Sequence, residues 1–297
     1  MKMKRLIPFL IAWLMALPVF AGAAPLRVLT SFSPMHIFTL NVAGDAPGVS
    51  VEMMLPASLG CPHDYALTAS DMRKISRADL FIANGMGMET FLDVVVRKAN
   101  PRIRVIETSS SVKPLHAPNE KKHAGHARED ANPHTWVSPK NAILQVRAIE
   151  KALSDASPQN RDIFRANADA YALRLELLDR EYREASAGFH KRNIVTFHNA
   201  FDYLAQEYGL SVVGRIGNDL SASEMRALLR TIREKDVPAV FAAPENRERI
   251  ADIIAREAKI PVVRLDPVAA GPASPTAYED AMRRNLKNLS EKLSSNE

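Results

Sequence analysis

The sequence predicts an α/β protein of two lobes, each a four-stranded parallel sheet flanked by helices, joined by one long rigid helix. Two observations lead there. Eight short runs rich in Val, Ile and Leu alternate with helix-patterned segments, four before residue 157 and four after residue 188. Strands that alternate with crossovers pair in parallel and are covered by the crossover helices. Between the two sets lies an unbroken stretch, 157–188, with no Gly or Pro between Pro158 and Gly188. In it Phe164, Ala168, Tyr171, Leu175, Leu178, Tyr182 and Ala185 recur at spacings of four and three, one apolar stripe of a single helix. A helix laid along both lobes fits that stripe better than a free coiled-coil arm, and it resists bending far more than a Gly/Ser linker.

The first 24 residues stand apart from the fold. Lys2, Lys4 and Arg5 precede an apolar run from Leu6 to Phe20 that ends in the small residues AGAA. This is the signature of a cleaved secretory leader, and it points to export into a periplasm. No cysteine follows the leader directly, which disfavours a lipid anchor at the mature N-terminus. The expected organisation is a leader at 1–24, an N-terminal metal-binding lobe at 25–156, the connecting helix at 157–188 and a C-terminal metal-binding lobe at 189–297.

Candidate strands lie at 26–32, 49–55, 79–85 and 103–109, then at 193–198, 211–217, 239–244 and 262–266. Helix starts are marked by Thr68 with Asp71, Ser138 before Pro139, Ser157 before Pro158, and the pair Ser221 and Glu224. The segment 110–133 is polar, lacks periodicity and contains His116, His123 and His126, so it reads as a mobile surface loop.

Charge excludes some functions. Of 39 basic residues three lie in the leader and none of the 34 acidic ones do, leaving the mature chain at +2. With no long basic block there is no footprint for nucleic acid or an anionic membrane. The single cysteine, Cys61, cannot form an internal disulfide, so the fold rests on its core.

Open parallel sheets place ligands at the carboxyl ends of their strands. Four metal donors occupy such positions: His63 after the second strand, His134 after the fourth, His198 at the end of the fifth and Asp266 at the end of the eighth. Two donors per lobe imply a site between the lobes, and three imidazoles with one carboxylate suit Zn²⁺. Each residue also has a plain alternative, since a lone loop histidine often only caps or faces solvent and Asp before Pro often only begins a turn. Cys61 is read as an inert or oxidisable thiol, and Tyr65 as a residue that packs or orients its loop.

The stretches "CPHDYALTASDMRKISRADLFIANGMGMETFL", "NPHTWVSPKNA", "VTFHNAFDYLAQEYGL" and "LDPVA" together resemble the zinc/manganese ABC-transporter solute-binding family, the cluster A-I periplasmic metal-binding proteins. The resemblance implies two α/β lobes joined by a long helix, with one metal ion held between them as cargo for a membrane permease. It carries the ligand role to His63, His134, His198 and Asp266. Histidine at the third position is similar to the zinc branch, where manganese members typically carry a carboxylate. It also implies a monomer, and a periplasmic metallochaperone is a partner such a setting admits.

Three positions depart from the family pattern. Asn132 and Ser138 stand where members often have aspartate, so a carboxylate near His134 is missing, and Ala243 stands where members commonly have glutamate before proline, with Glu245 just beyond. Manganese or iron uptake is the nearer rival function, disfavoured because harder ions gain from a second carboxylate. The rival from another class is an exported zinc hydrolase, disfavoured because a catalytic zinc keeps an open position and no HExxH helix occurs. An adhesion or scaffold role would leave the cleft incidental and require no stoichiometric metal.

Overall fold

The computed structural model describes residues 25–60, 62, 65–89, 95–116, 131–217, 220–243 and 248–295. The leader, Cys61, His63, Asp64, His123, His126 and Glu245 lie outside them. The first lobe runs β1 (Leu26–Thr30), α1 (Ser33–Ala43), β2 (Val49–Met53), α2 (Ala69–Arg77), β3 (Leu80–Ala83), α3 (Arg97–Ala99), β4 (Arg104–Glu107) and α4 (Pro139–Ala156). The long helix α5 (Arg161–Ala187) follows. The second lobe runs β5 (Asn193–Phe197), α6 (Asp202–Glu207), β6 (Ser211–Ile216), α7 (Ala222–Glu234), β7 (Val240–Ala242), α8 (Glu248–Ala258), β8 (Val262–Arg264) and α9 (Ala277–Leu293).

Both sheets have four parallel strands, in the orders β2-β1-β3-β4 and β6-β5-β7-β8. The two-lobed α/β architecture expected from the alternating runs is the one observed. Burial explains which run goes where. β3, the sequence LFIA, is buried at all four positions, as a central strand covered on both faces must be. β2 alternates partly buried and exposed residues and lies at an edge. In each lobe the chain leaves the first strand in one direction and the third in the other, so a topological switch point opens between β1 and β3 and again between β5 and β7. Ligand loops gather there.

The cap signals act as their sequences indicate. Thr68 and Asp71 form a reciprocal capping box on α2, Ser221 and Glu224 form another on α7, and the Ser138 hydroxyl caps α4 ahead of Pro139. Pro158 begins a single 3₁₀ turn and not the long helix, so α5 starts at Arg161 and spans 27 residues, about 40 Å at 1.5 Å per residue. Its stripe is buried at Phe164, Ala168, Tyr171, Leu175, Leu178 and Tyr182.

A second brace comes from the C-terminal helix. α9 sets Tyr278 edge-on to Phe38 of α1, with ring centroids 5.0 Å apart, and the Tyr278 hydroxyl donates to the Trp136 carbonyl at 2.7 Å. Farther along, the Tyr182 hydroxyl of α5 donates to the Met282 carbonyl of α9 at 2.6 Å. The helix ends where Leu293 accepts bonds from the backbone of His190 and Lys191, just before β5. Among the described residues no helix is long and apolar enough to cross a membrane.

Candidate metal centre

His134 sits at the end of the loop that follows β4 and is 4% exposed. Its backbone N–H donates to Asn132 Oδ1 at 3.0 Å, which identifies that atom as the amide oxygen, and its ring Nδ1 lies 2.9 Å from the same oxygen. An amide oxygen only accepts, so Nδ1 carries the proton and the lone pair is on Nε2, the nitrogen that could face a metal ion. The expected loss of an orienting carboxylate is therefore met by a carboxamide. Ser138, at the other departure, supplies the α4 cap.

Behind His134 lies a buried polar network. Asn84, at the carboxyl end of β3, donates to the Pro133 carbonyl at 2.8 Å, and its Oδ1 accepts from Thr135 Oγ1, Ser109 Oγ and Gln145 Nε2 at 2.9 to 3.2 Å. Glu89 closes the loop from the same strand, accepting from the backbone N–H groups of Asn84 and Gly85 at 2.8 and 3.0 Å. Burial pushes its carboxyl up to about 7, against those two hydrogen bonds that favour the ionised form.

His198 follows β5 in the left-handed region at φ 55°. Its N–H donates to the Ile216 carbonyl and its carbonyl accepts from Thr196 Oγ1 at 3.1 Å, bonds that hold the unusual conformation. The side chain is exposed. Asp266 follows β8. Asn285 of α9 grips its backbone from both sides, accepting from its N–H and donating to its carbonyl, each at 2.7 Å. Asp266 Oδ1 accepts from the Val268 N–H at 2.7 Å, and Oδ2 faces Arg284 at 3.7 Å. Val268, a β-branched residue, has φ 58°. Backbone strain of this kind collects at sites the surrounding structure holds in place.

The loops carrying these residues are joined across the lobes. Asn132 Nδ2 donates to the carbonyl of Asn199, directly after His198, at 2.7 Å. Trp136 Nε1 donates to the carbonyl of Pro267, directly after Asp266, at 2.7 Å. The Gly271 N–H donates to the Ala57 carbonyl at 2.8 Å, linking the loop beyond Asp266 to the segment that leads to residue 63. Tyr203 adds a fourth link, donating to the Asn132 carbonyl at 3.0 Å while accepting from the Leu115 N–H. Among the described residues no three His, Cys, Asp or Glu side chains stand close enough to hold one ion, and His63 lies outside those residues. The structure thus brings the loops of His134, His198 and Asp266 together without drawing their side chains into a closed cage.

Two further expectations touch described residues near this centre. Tyr65 packs against the core, and its hydroxyl donates to Asp71 at 2.7 Å, tying the turn after residue 60 to the start of α2. Of the segment 110–133 expected to be a mobile loop, residues 117–130 lie outside the described residues; at its described ends His116 pairs with Ala131 in an antiparallel bridge and the Asn132 N–H donates to the Leu115 carbonyl. His116 is exposed. Sequence reasoning missed the bridging parts of Asn132, Trp136 and Asn285. Only Asn132 carried a signal, its position two residues before His134.

Two α/β lobes braced by helices, with switch-point loops meeting across them, define a two-lobed binding protein. Residues 28–292 match the model of the family described as zinc-uptake complex component A, periplasmic, and the chain belongs to that family. It is 30% identical over 285 residues to the high-affinity zinc uptake system protein ZnuA of Bacillus subtilis, covering 90% of this chain and 88% of that one. It is also 30% identical over 282 residues to the zinc-binding lipoprotein AdcA of Streptococcus pneumoniae. The alignment covers 89% of this chain, which spans about half (55%) of that relative's length. A crystal structure described as a zinc-bound ZnuA with residues 138–173 deleted superposes with a TM-score of 0.80 at 25% identity, covering 92% of this chain and all of that one.

Proposed function

We propose that this protein is the periplasmic solute-binding component of an ABC transporter, capturing one Zn²⁺ between its lobes and delivering it to a membrane permease. His63, His134, His198 and Asp266 are the assigned ligands, and zinc is cargo, so no bond in a substrate is made or broken. The observation that carries the reading is the direct stitching of the His134 loop to the residues that follow His198 and Asp266. Family membership and the names of the relatives support it.

The chemistry follows from the donor set. Three neutral imidazoles and one carboxylate leave a net charge of +1 with the ion bound, and N and O donors suit tetrahedral Zn²⁺. Binding weakens as pH falls through the imidazole range, because protons compete for the same lone pairs. The Arg284 guanidinium beside Asp266 is the local cation that an incoming ion has to share or displace. Release follows separation of the joined loops on the permease. The protein acts as an exported monomer, and loading from a periplasmic metallochaperone is compatible with the exposed His198.

Titration of Zn²⁺ into stripped mature protein, with competition by a chelator, tests this reading. One tight site is expected, retained when His116, His123 and His126 are all replaced and weakened sharply in His198→Ala. Zinc binding that is unchanged in His134→Ala and His198→Ala contradicts it, and turnover of an ester or peptide that depends on those residues favours a hydrolase instead.

A further inference from the structure

One uncharged side chain bonds a candidate ligand of the first lobe and the residue that directly follows a candidate ligand of the second. Asn132 Oδ1 accepts both the backbone N–H and the ring Nδ1–H of His134, while Asn132 Nδ2 donates to the carbonyl of Asn199 at 2.7 Å. That carbonyl also accepts from the Asp202 N–H at 3.3 Å, so it closes the turn that carries His198 into α6. Asn132 is 3% exposed, and its own backbone is fixed on both sides, N–H to Leu115 and carbonyl to Tyr203. Its second, longer contact, from Nδ2 to Asp202 Oδ2 at 3.4 Å, reaches a carboxylate that is itself paired with Arg215 at 3.0 Å.

We propose that Asn132 is a positioning residue of the metal site that couples the orientation of the His134 ring to the placement of the His198 loop. The chemistry calls for a carboxamide. Only a group with an acceptor on one side and a donor on the other serves both bonds at once. An aspartate here keeps the acceptor for His134 but sets a carboxylate oxygen against the Asn199 carbonyl and the Asp202 carboxylate, so the inter-lobe arm is lost. Alanine removes both arms. A partner that fixes ligand orientation is worth about 10 to 100-fold in metal affinity.

The inference rests on His134 being a ligand, and the test separates the two ideas. Stripped wild-type, Asn132→Ala, Asn132→Asp and His134→Ala proteins are compared by Zn²⁺ affinity, by the visible spectrum of the Co²⁺ form and by amide hydrogen exchange of residues 198–203. In Asn132→Ala, zinc affinity is expected to fall by about 10 to 100-fold with an altered Co²⁺ spectrum and faster exchange in 198–203. In Asn132→Asp, the spectrum and most of the affinity are expected to return while exchange in 198–203 stays fast. Unchanged exchange in α5 reports an intact fold. Wild-type affinity and spectrum in Asn132→Ala overturn the His134 arm. Wild-type exchange in Asn132→Asp overturns the coupling. Zinc binding indifferent to His134→Ala defeats the proposed function itself, and zinc binding lost in His134→Ala but untouched in Asn132→Ala defeats only this inference.

Discussion

Strain and satisfaction at single residues mark the centre more sharply than residue type does. Of the non-glycine residues with positive φ, Asp236 and Lys259 lie just past the ends of α7 and α8, where a left-handed residue commonly stops a helix. His198, Val268 and Met86 instead follow the carboxyl ends of β5, β8 and β3. The sequence shows His198 and Asp266 at strand ends and His134 in the loop that follows the fourth strand. It does not show that Asn132 replaces a carboxylate with a two-sided hydrogen bond, because its partners lie 67 and 70 residues away in the chain. Trp136→Phe keeps the ring packing against Phe32, 4.9 Å between centroids, but deletes the donor to Pro267. A loss of roughly 1 to 3 kcal/mol in urea unfolding is expected for leaving that carbonyl unpaired, with weaker zinc binding.

Glu89 supplies a pH test at the same scale. Its folded pKa, about 7, lies above the ordinary 4.5, so the folded state holds the proton more tightly than the unfolded one. Its contribution is therefore fully present below pH 4.5 and is lost as pH rises through 7, by an amount on the order of 3 kcal/mol. Between pH 5 and 8 the unfolding free energy of wild type should fall relative to that of Glu89→Gln, whose neutral amide does not titrate, if burial governs this carboxyl. A constant gap between the two contradicts it.

At the scale of elements, local chemistry was the most readable. Both capping boxes form as the Thr68/Asp71 and Ser221/Glu224 pairs indicate, and Thr68→Ala is expected to lower stability by about 1 kcal/mol. Lys259 is exposed at φ 58°, so Lys259→Gly should raise the thermal midpoint, with a gain of about 1 kcal/mol from relieved left-handed strain. The start of α5 was less readable, because a Ser-Pro pair opens a 3₁₀ turn as well as it opens an α-helix. The stripe itself was legible, since one face of charged-flanked apolar residues has only one way to be buried. Leu175 in its middle is fully buried, and Leu175→Ala is expected to cost about 2 to 5 kcal/mol in denaturant unfolding.

For the whole molecule, the alternation of strands and helices gave the two lobes, but periodicity alone does not say which helices cross between them. α9 reads as a terminal helix of the second lobe, yet its Tyr278 packs on Phe38 and bonds to Trp136. Two braces, α5 and α9, joined by the Tyr182 to Met282 bond, oppose a wide hinge. Under the proposed function, metal capture and release proceed by small shifts of the joined loops, and solution scattering of the stripped and zinc-loaded forms should give nearly the same radius of gyration.

Anomalous diffraction at the zinc edge on crystals of the loaded protein decides whether one ion is held by residues of both lobes. A single strong peak is expected between the lobes, about 2.0 to 2.2 Å from His63, His134 and His198 nitrogens and an Asp266 oxygen. A peak bound only by His116, His123 and His126, or by residues of one lobe alone, contradicts it.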